Sequence, residues 1–428
     1  VKVQEVPVGG QLKLGPFDLD FISITHSILE PNLLAIRTPL GVVAHTGDWK
    51  IDPDPLLGEA TDADALERLG NEGVLALVCD STNALVPGSS GSEADVRKNL
   101  TELVGTLKGR VAVTGFASNV ARLDTVARAA KAHGRRIALV GRSMQNMVEA
   151  AKDTGYLKDF PPVLDEVDAA DLPPHKVLYL CTGSQGEPRA ALSRIANASH
   201  PHVDLAEGDT VIFSSRVIPG NELAIAEIQN RLAARGIGIL TVDEHHVHVS
   251  GHPCRDELAQ MYRWIRPKLA LPVHGEMRHQ VAHAKLATSL QVPQALVPEN
   301  GQMFRLAPGK PALIDEVPAG RMRLDGRVLV AEGEGLAKDR RGMAFAGLLV
   351  VALVVDRKGR IAAPPTVLGE GMPKPVEDAV LTAVEETLEK NKRSDPDDLA
   401  ENVRRAARRT AQEAWGKKPI TRVLVSEI

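Results

Sequence analysis

Aromatic residues make up only 3% of this 428-residue chain, so stacked rings cannot be the main grip on any ligand it holds. Cysteine is scarcer still. Cys79, Cys181 and Cys254 are too few and too scattered for a disulfide framework or a cysteine-rich zinc site, and they point to a reducing, cytoplasmic setting. Long apolar runs are missing as well: the longest, Ala346 to Val355, falls well short of the roughly 20 residues that span a bilayer. It reads as a buried strand, and no membrane partner is expected. A net charge of −4 gives no general signal for nucleic acid, although the relevant field can be local. Basic residues gather at Arg135, Arg136 and Arg142, and again at Arg404, Arg405, Arg408, Arg409, Lys417 and Lys418, where solvated helix faces are the plain reading. The sequence opens Val-Lys-Val-Gln inside what already reads as strand pattern, with no signal peptide, and is expected to begin partway through a domain.

What is present is rhythm. The chain is too long for one ordinary core, and two or three domains are expected. Up to about residue 85, short β-like runs (F-D-L-D-F-I-S-I, N-L-L-A-I-R-T, G-V-V-A-H, V-L-A-L-V-C) alternate with Gly, Pro and Asp turns and predict mixed or antiparallel sheet. From about 88 the pattern becomes strand, Gly/Ser turn, helix, repeated. R-V-A-V-T leads into G-F-A-S-N, K-V-L-Y-L-C into T-G-S-Q-G, T-V-I-F into S-S-R-V-I-P-G-N, and K-L-A-L-P-V into H-G-E-M-R-H. Such alternation predicts a parallel sheet with crossover helices, whose strand-to-helix turns share the carboxyl edge. Ser118, Asn119, Ser184, Gln185, Ser214, Ser215 and Arg216 are then expected along one rim, where hydroxyls and helix N-terminal N–H groups suit phosphate oxygens. After about 320, L-L-V-V-A-L-V-V-D-R-K-G-R-I predicts a hairpin turning at Asp356 to Gly359, followed by helices near 373–391 and 396–414 and a last strand R-V-L-V. The second helix is entered through S-D-P-D-D, good capping chemistry. This small α+β region holds no convergent His, Cys or carboxylate set and is read as serving assembly.

Chemistry concentrates at strand ends. S-I-T-H-S ends a β-run at His26, and A-H-T-G-D-W-K ends another with His45 and Asp48. Imidazole and carboxylate on a stiff scaffold are what a metal site with an open position needs. D-E-H-H-V-H-V-S-G-H sets four histidines within eight positions, and invites confusion with H-x-H-x-D-H, but the spacing is wrong and no Asp follows. His246 and His248 alternate on one predicted strand and are expected on its surface or behind the ligands rather than as ligands, while His252 lies beyond the Ser-Gly turn.

In chain order, T-H-S, H-T-G-D-W-K, C-D-S-T-N, G-F-A-S-N-V-A-R, T-G-S-Q-G-E-P-R, F-S-S-R-V-I-P-G-N-E, H-V-S-G-H and P-V-H-G-E-M-R-H resemble the ribonuclease J family. The resemblance implies an α/β architecture. A partial metallo-β-lactamase αββα sandwich (1–87, returning at 254–318) would carry an inserted β-CASP parallel-sheet domain (88–253), followed by a linker and small C-terminal α+β domain (319–428). It implies His26, Asp48 and His274 as metal ligands, Asp48 bridging two ions. Asp80 would orient groups near the metals, and His252 would contact the scissile phosphate and assist proton transfer, so that Asp48, Asp80, His252 and His274 form the catalytic set. Ser118, Asn119, Ser184, Ser214, Ser215, Arg216, Ser250, Gly251 and His252 fall where RNA phosphates would be held.

The implied activity is two-metal hydrolysis of RNA phosphodiesters in RNA maturation and decay, combining 5′-to-3′ exonuclease action on 5′-monophosphorylated strands with internal cleavage. Zinc is the first expectation for the ions, with manganese as the alternative. Single-stranded RNA, a second copy of the chain or a higher homo-oligomer, and RNA-degradation machinery are the implied partners. The main departure is that H-x-H-x-D-H occurs nowhere in the 428 residues, and Leu29 and Glu30 replace the family's usual Pro and Asp. Truncation is the preferred explanation, because His26, Asp48, His252 and His274 are retained. A catalytically inactive RNA-binding scaffold is the rival, with a small-molecule hydrolase a distant third.

Overall fold

A computed structural model describes residues 3–332, 335–391 and 395–428. It divides into two compact units, Val1–Glu316 and Val317–Ile428.

The first unit contains two large sheets and a two-stranded one, Gln302–Arg305 with Ala312–Glu316. In the seven-stranded one the spatial order is Gln11–Leu14, Phe17–Ser23, Asn32–Thr38, Gly41–His45, Val74–Asp80, Leu269–Val273, Gln294–Ala295. The early strands are antiparallel hairpins: Leu33 and Ala35 turn inward and are fully buried, while Arg37, farther along the same face and partly exposed, pairs with Asp20 and Glu72. Helices Ala63–Glu72, Arg255–Ile265 and Met277–Ser289 supply Leu66, Leu69, Leu258, Met261 and Leu286 to the core packed on this sheet, beside Trp49. Its centre is parallel. Val74–Asp80 pairs with Leu269–Val273 in a register that sets Asp80 opposite Val273, so the chain leaves the sheet at Asp80 and later returns to the strand it left.

Between those strands lies a six-stranded sheet, parallel throughout, in the order Gly238–Leu240, Thr210–Phe213, Val111–Thr114, Val177–Cys181, Arg136–Val140, Val163–Leu164. Val111–Thr114, Val177–Cys181 and Thr210–Phe213 are buried at every position, as expected of strands covered on both faces. Helices Glu93–Thr106 and Val120–Ala132 pack on one face, Ala191–Ala196 and Glu222–Ala234 on the other. The strand K-L-A-L-P-V, read from sequence as part of the same series, belongs instead to the seven-stranded sheet.

Two arginines lie inside the first unit. Arg135 is buried, with its guanidinium donating to the carbonyls of Leu107, Gly109 and Val177, so it adds nothing to an exposed basic cluster. Arg122 is also buried, paired with the buried Glu93 carboxylate.

In the second unit, Leu348–Val355 lies between Ile361–Glu370 and Ile420–Glu427. Alternate residues of Leu348–Val355 are buried, so it covers a core with one face only. Asp356 closes the hairpin by accepting the N–H groups of Lys358 and Arg360. Helices Lys374–Lys390 and Pro396–Trp415 present Val376, Val380, Val384 and Leu388, and Leu399, Val403, Ala407 and Ala411, to that core. Both sets run at a spacing of four. Asp395 caps the second helix by accepting from the Asp397 N–H; Ser394 of the expected cap lies outside the described residues.

Candidate metal centre and phosphate ledge

Four of the five implied core residues sit at carboxyl ends of seven-stranded-sheet strands or in the loops that follow. His26 lies three residues beyond Phe17–Ser23, where Thr25 bridges to Lys50. Asp48 follows Gly41–His45 through Gly47, whose φ of +61° is readily reached only without a side chain. Asp80 ends its strand, and His274 follows the neighbouring one with a left-handed φ of +58°. A non-glycine residue held there stores strain, a recurrent property of functional positions. His252 arrives from the segment that re-enters after the six-stranded sheet.

These side chains meet. One ligand atom each from Asp48, His252 and His274 lie within 4.8 Å of one another. His274 Nε2 is 3.7 Å from Asp48 Oδ1, and the His252 ring centre lies 5.4 Å from that of His274 and 5.3 Å from that of His26. His26 is outside the trio, with its Nδ1 2.5 Å from the Gly251 carbonyl. Because a carbonyl only accepts, His26 Nδ1 carries the proton and Nε2 keeps the lone pair.

Asp80 is buried and fully engaged. One oxygen is 2.7 Å from His252 Nδ1, and the other accepts from the Thr82 N–H at 2.8 Å and the Thr82 hydroxyl at 2.7 Å. Burial alone would raise the Asp80 pKa, but the His252 and Thr82 hydrogen bonds outweigh it and hold the carboxyl below its ordinary value. Burial likewise opposes protonation of His252, and the Asp80 contact overcomes it, raising that imidazole's pKa. His26, with no such partner, is pulled down by burial. Asp80 is therefore an orienting group whose hydrogen bond to Nδ1 leaves His252 Nε2 facing its work.

The Asp48 carboxylate and the His274 imidazole are donors of the kind a zinc-type ion takes, with His252 beside them. A cleft of about 720 Å³ opens on the site, lined by His45, Asp48, Asp80, His274 and Glu299.

The expected phosphate rim divides. Ser184, Ser215, Arg216 and Ser250 line a second cavity of about 640 Å³, together with Ser90 and His248. Ser118 is exposed and outside that lining. Two candidates are structural instead. Asn119 is buried, accepts from the Arg122 N–H as a helix cap and donates to Glu93, while Ser214 is buried between the Arg122 guanidinium and the Val247 carbonyl. Gly251 contributes by lacking a side chain. A Cβ there would lie 2.6 Å from His26 Cε1 and 2.7 Å from Ser27 Oγ. Gly251→Ala is expected to cost about 1–3 kcal/mol and displace His26, which urea unfolding checks.

The histidine-rich segment is irregular rather than the strand expected: His246 is exposed, and His248 is half-buried with an unpartnered Nδ1. Burial and then the Arg122 and Arg216 charges push the His248 pKa down to about 3. Sequence reasoning also passed over Asn83, which donates to Ser250 Oγ at 2.8 Å and the His252 carbonyl at 2.9 Å and so fixes the turn carrying His252. It missed His283, buried between the Ser81 and Tyr262 hydroxyls, each at 2.9 Å. Asn83 stands in the quoted C-D-S-T-N, but nothing in the pattern around His283 marks it.

The two sheets and this centre define a metallo-hydrolase with an inserted β-CASP domain. Residues 108–232 match the family description "Ribonuclease J, beta-CASP domain", 243–294 match "Zn-dependent metallo-hydrolase RNA specificity domain", and 335–428 match "Ribonuclease J C-terminal domain". The chain is 45% identical to Ribonuclease J of Sinorhizobium meliloti, across 99% of its own length and 78% of that protein. It is 39% identical to Ribonuclease J of Corynebacterium glutamicum (95% and 58%) and 38% identical to that of Mycolicibacterium smegmatis (97% and 76%). The chain belongs to the ribonuclease J family of metal-dependent ribonucleases.

Proposed function

We propose that the Asp48–His252–His274 centre hydrolyses RNA phosphodiesters by a two-metal mechanism, removing nucleotides from 5′-monophosphorylated ends and also cleaving internally. The reading is carried by one observation: the Asp48 carboxylate and the His274 imidazole converge on His252, which is itself oriented by a buried aspartate. Asp48 and His274 would hold metal, with His26 Nε2 the next available donor, and divalent ions bound there would supply hydroxide at neutral pH and charge neutralisation at the phosphorus. His252, kept in one tautomer by Asp80, donates from Nε2 when protonated to a non-bridging oxygen or to the leaving group. Ser250 and Arg216 hold a phosphate near the cut, which makes removal of terminal nucleotides geometrically natural.

Zinc is the favoured ion, since the donor set is rich in imidazole, with manganese as the alternative. Asp48→Ala is expected to lower bound metal and RNA hydrolysis together, read by elemental mass spectrometry and by cleavage of 5′-monophosphorylated against 5′-hydroxyl RNA. Loss of metal with cleavage unchanged would refute the reading. The rival scaffold reading expects RNA affinity undiminished by Asp48→Ala and no cleavage in either protein.

A further inference from the structure

A third concavity, of about 580 Å³, lies elsewhere on the carboxyl edge of the six-stranded sheet. Its base is formed by Gly141 to Ser143 and by Thr182, the turns that follow the neighbouring strands Arg136–Val140 and Val177–Cys181. Arg142, Arg189 and Arg194 line it and are exposed. Among the described residues none of the three has a carboxylate within ion-pairing distance. One acid, Glu166, also lines the hollow, 3.9 Å from His200 Nε2, and Glu187 nearby accepts the Gln185 N–H.

Three unpaired guanidinium groups around one hollow repel one another, an arrangement that calls for an anion. Two further observations agree. The twelve-residue helix Arg142–Asp153 begins at Gly141 without a side-chain cap, so its first N–H groups open into the same hollow. His200, enclosed in the wall, is driven toward its neutral form by burial and then by the Arg194 charge, an internal record of the local positive field.

The lining indicates which anion. It contains no Phe, Tyr or Trp, so it offers no platform for a base and no apolar floor for a whole nucleotide. Contacts through phosphate alone are independent of sequence and belong to a strand passing by. The sheet supplies the path. Thr210–Phe213, Val111–Thr114, Val177–Cys181 and Arg136–Val140 are successive neighbours, so the turn bearing Ser215 and Arg216 and the turn bearing Arg142 are about 14 Å apart along one edge. We propose that the Arg142–Arg189–Arg194 hollow is a distal RNA-backbone site that holds single-stranded RNA extending beyond the metal centre, independently of base identity. This rests on the RNA reading above.

The test uses the whole chain with the triple substitution Arg142→Ala, Arg189→Ala and Arg194→Ala, all exposed positions. Its fold is checked by thermal unfolding against the parent. Binding of fluorescent 5′-monophosphorylated oligouridylate is followed by anisotropy in chelator across a salt series, with lengths of about 16 and about four nucleotides. The longer RNA is expected to lose about tenfold or more in affinity at low salt, with its log–log salt slope shallower by about 2, as three lost phosphate contacts on a single strand require. Affinity for the short RNA, and its cleavage once metal is restored, are expected to stay at parent values. Unchanged affinity and slope for the longer RNA would overturn the proposal. So would equal losses at both lengths, which would place the arginines at the metal centre, or inorganic phosphate binding lost in the triple variant with longer-RNA affinity intact, which would make the hollow a small-anion site. If the parent bound neither length, the RNA reading itself would fall.

Discussion

His252→Ala is expected to slow RNA hydrolysis by about 10²–10⁴-fold, the range for removal of a positioned proton-transfer group. The argument starts from Asp80. That carboxylate is buried, spends one oxygen on Thr82, and aims the other at His252 Nδ1 from 2.7 Å, which fixes both the tautomer and the direction of the ring. Alanine removes the only contact that carries this orientation to the metal centre, and it leaves Asp80 with a desolvated oxygen that water must satisfy. Asp80→Asn separates the two contributions, since it preserves a hydrogen-bonding shape but withdraws the charge that raises the His252 pKa. It is therefore expected to give an intermediate rate. Single-turnover cleavage with metal saturating is the measurement, and a parental rate in His252→Ala would remove the residue from the mechanism.

Arg122→Ala is expected to destabilise the first unit by about 3–5 kcal/mol, the cost of stranding one member of a buried ion pair. Glu93 accepts from the Arg122 guanidinium with both oxygens, at 2.8 to 3.0 Å, and the same guanidinium reaches Ser214 Oγ at 2.7 Å, the Ser214 carbonyl at 3.1 Å and the Val247 carbonyl at 3.0 Å. Without it, Glu93 keeps Asn119 as its side-chain partner in a site where little water enters. Lysine is expected to rescue little, because one ammonium cannot reproduce a planar fork with partners on three segments. Val247 is five residues before His252, so cleavage is expected to fall as well. Urea unfolding decides the point, and a loss below about 1 kcal/mol would mean that the network contributes little to stability.

Much of this was legible in the sequence, for identifiable reasons. V-L-Y-L-C and T-V-I-F are continuous apolar runs bounded by glycine and serine, and they are strands buried on both faces. His26, Asp48, Asp80 and His274 could be placed at strand ends because turn residues follow each run. That Asp80 and His274 are neighbours was not legible by periodicity, since it depends on one strand pairing with another far along the chain. Charge misled most. Arg122 and Arg135 carry the same letter as a solvated arginine, and only their carbonyl and carboxylate partners, supplied by distant segments, reveal that they are buried. Asn119 and Ser214 were rightly assigned to the rim, but their side chains are consumed by the scaffold beneath it.

The pairing of Val74–Asp80 with Leu269–Val273 has a kinetic side. These partners are roughly two hundred residues apart, a separation that makes direct closure slow and entropically costly unless the intervening sheet has already folded and drawn its two ends together. On the ribosome, the emerging chain must therefore wait with an open strand edge, vulnerable to wrong partners, until the second half of the pair is translated. The nascent polypeptide brings Asp48, His252 and His274 together only at that late moment.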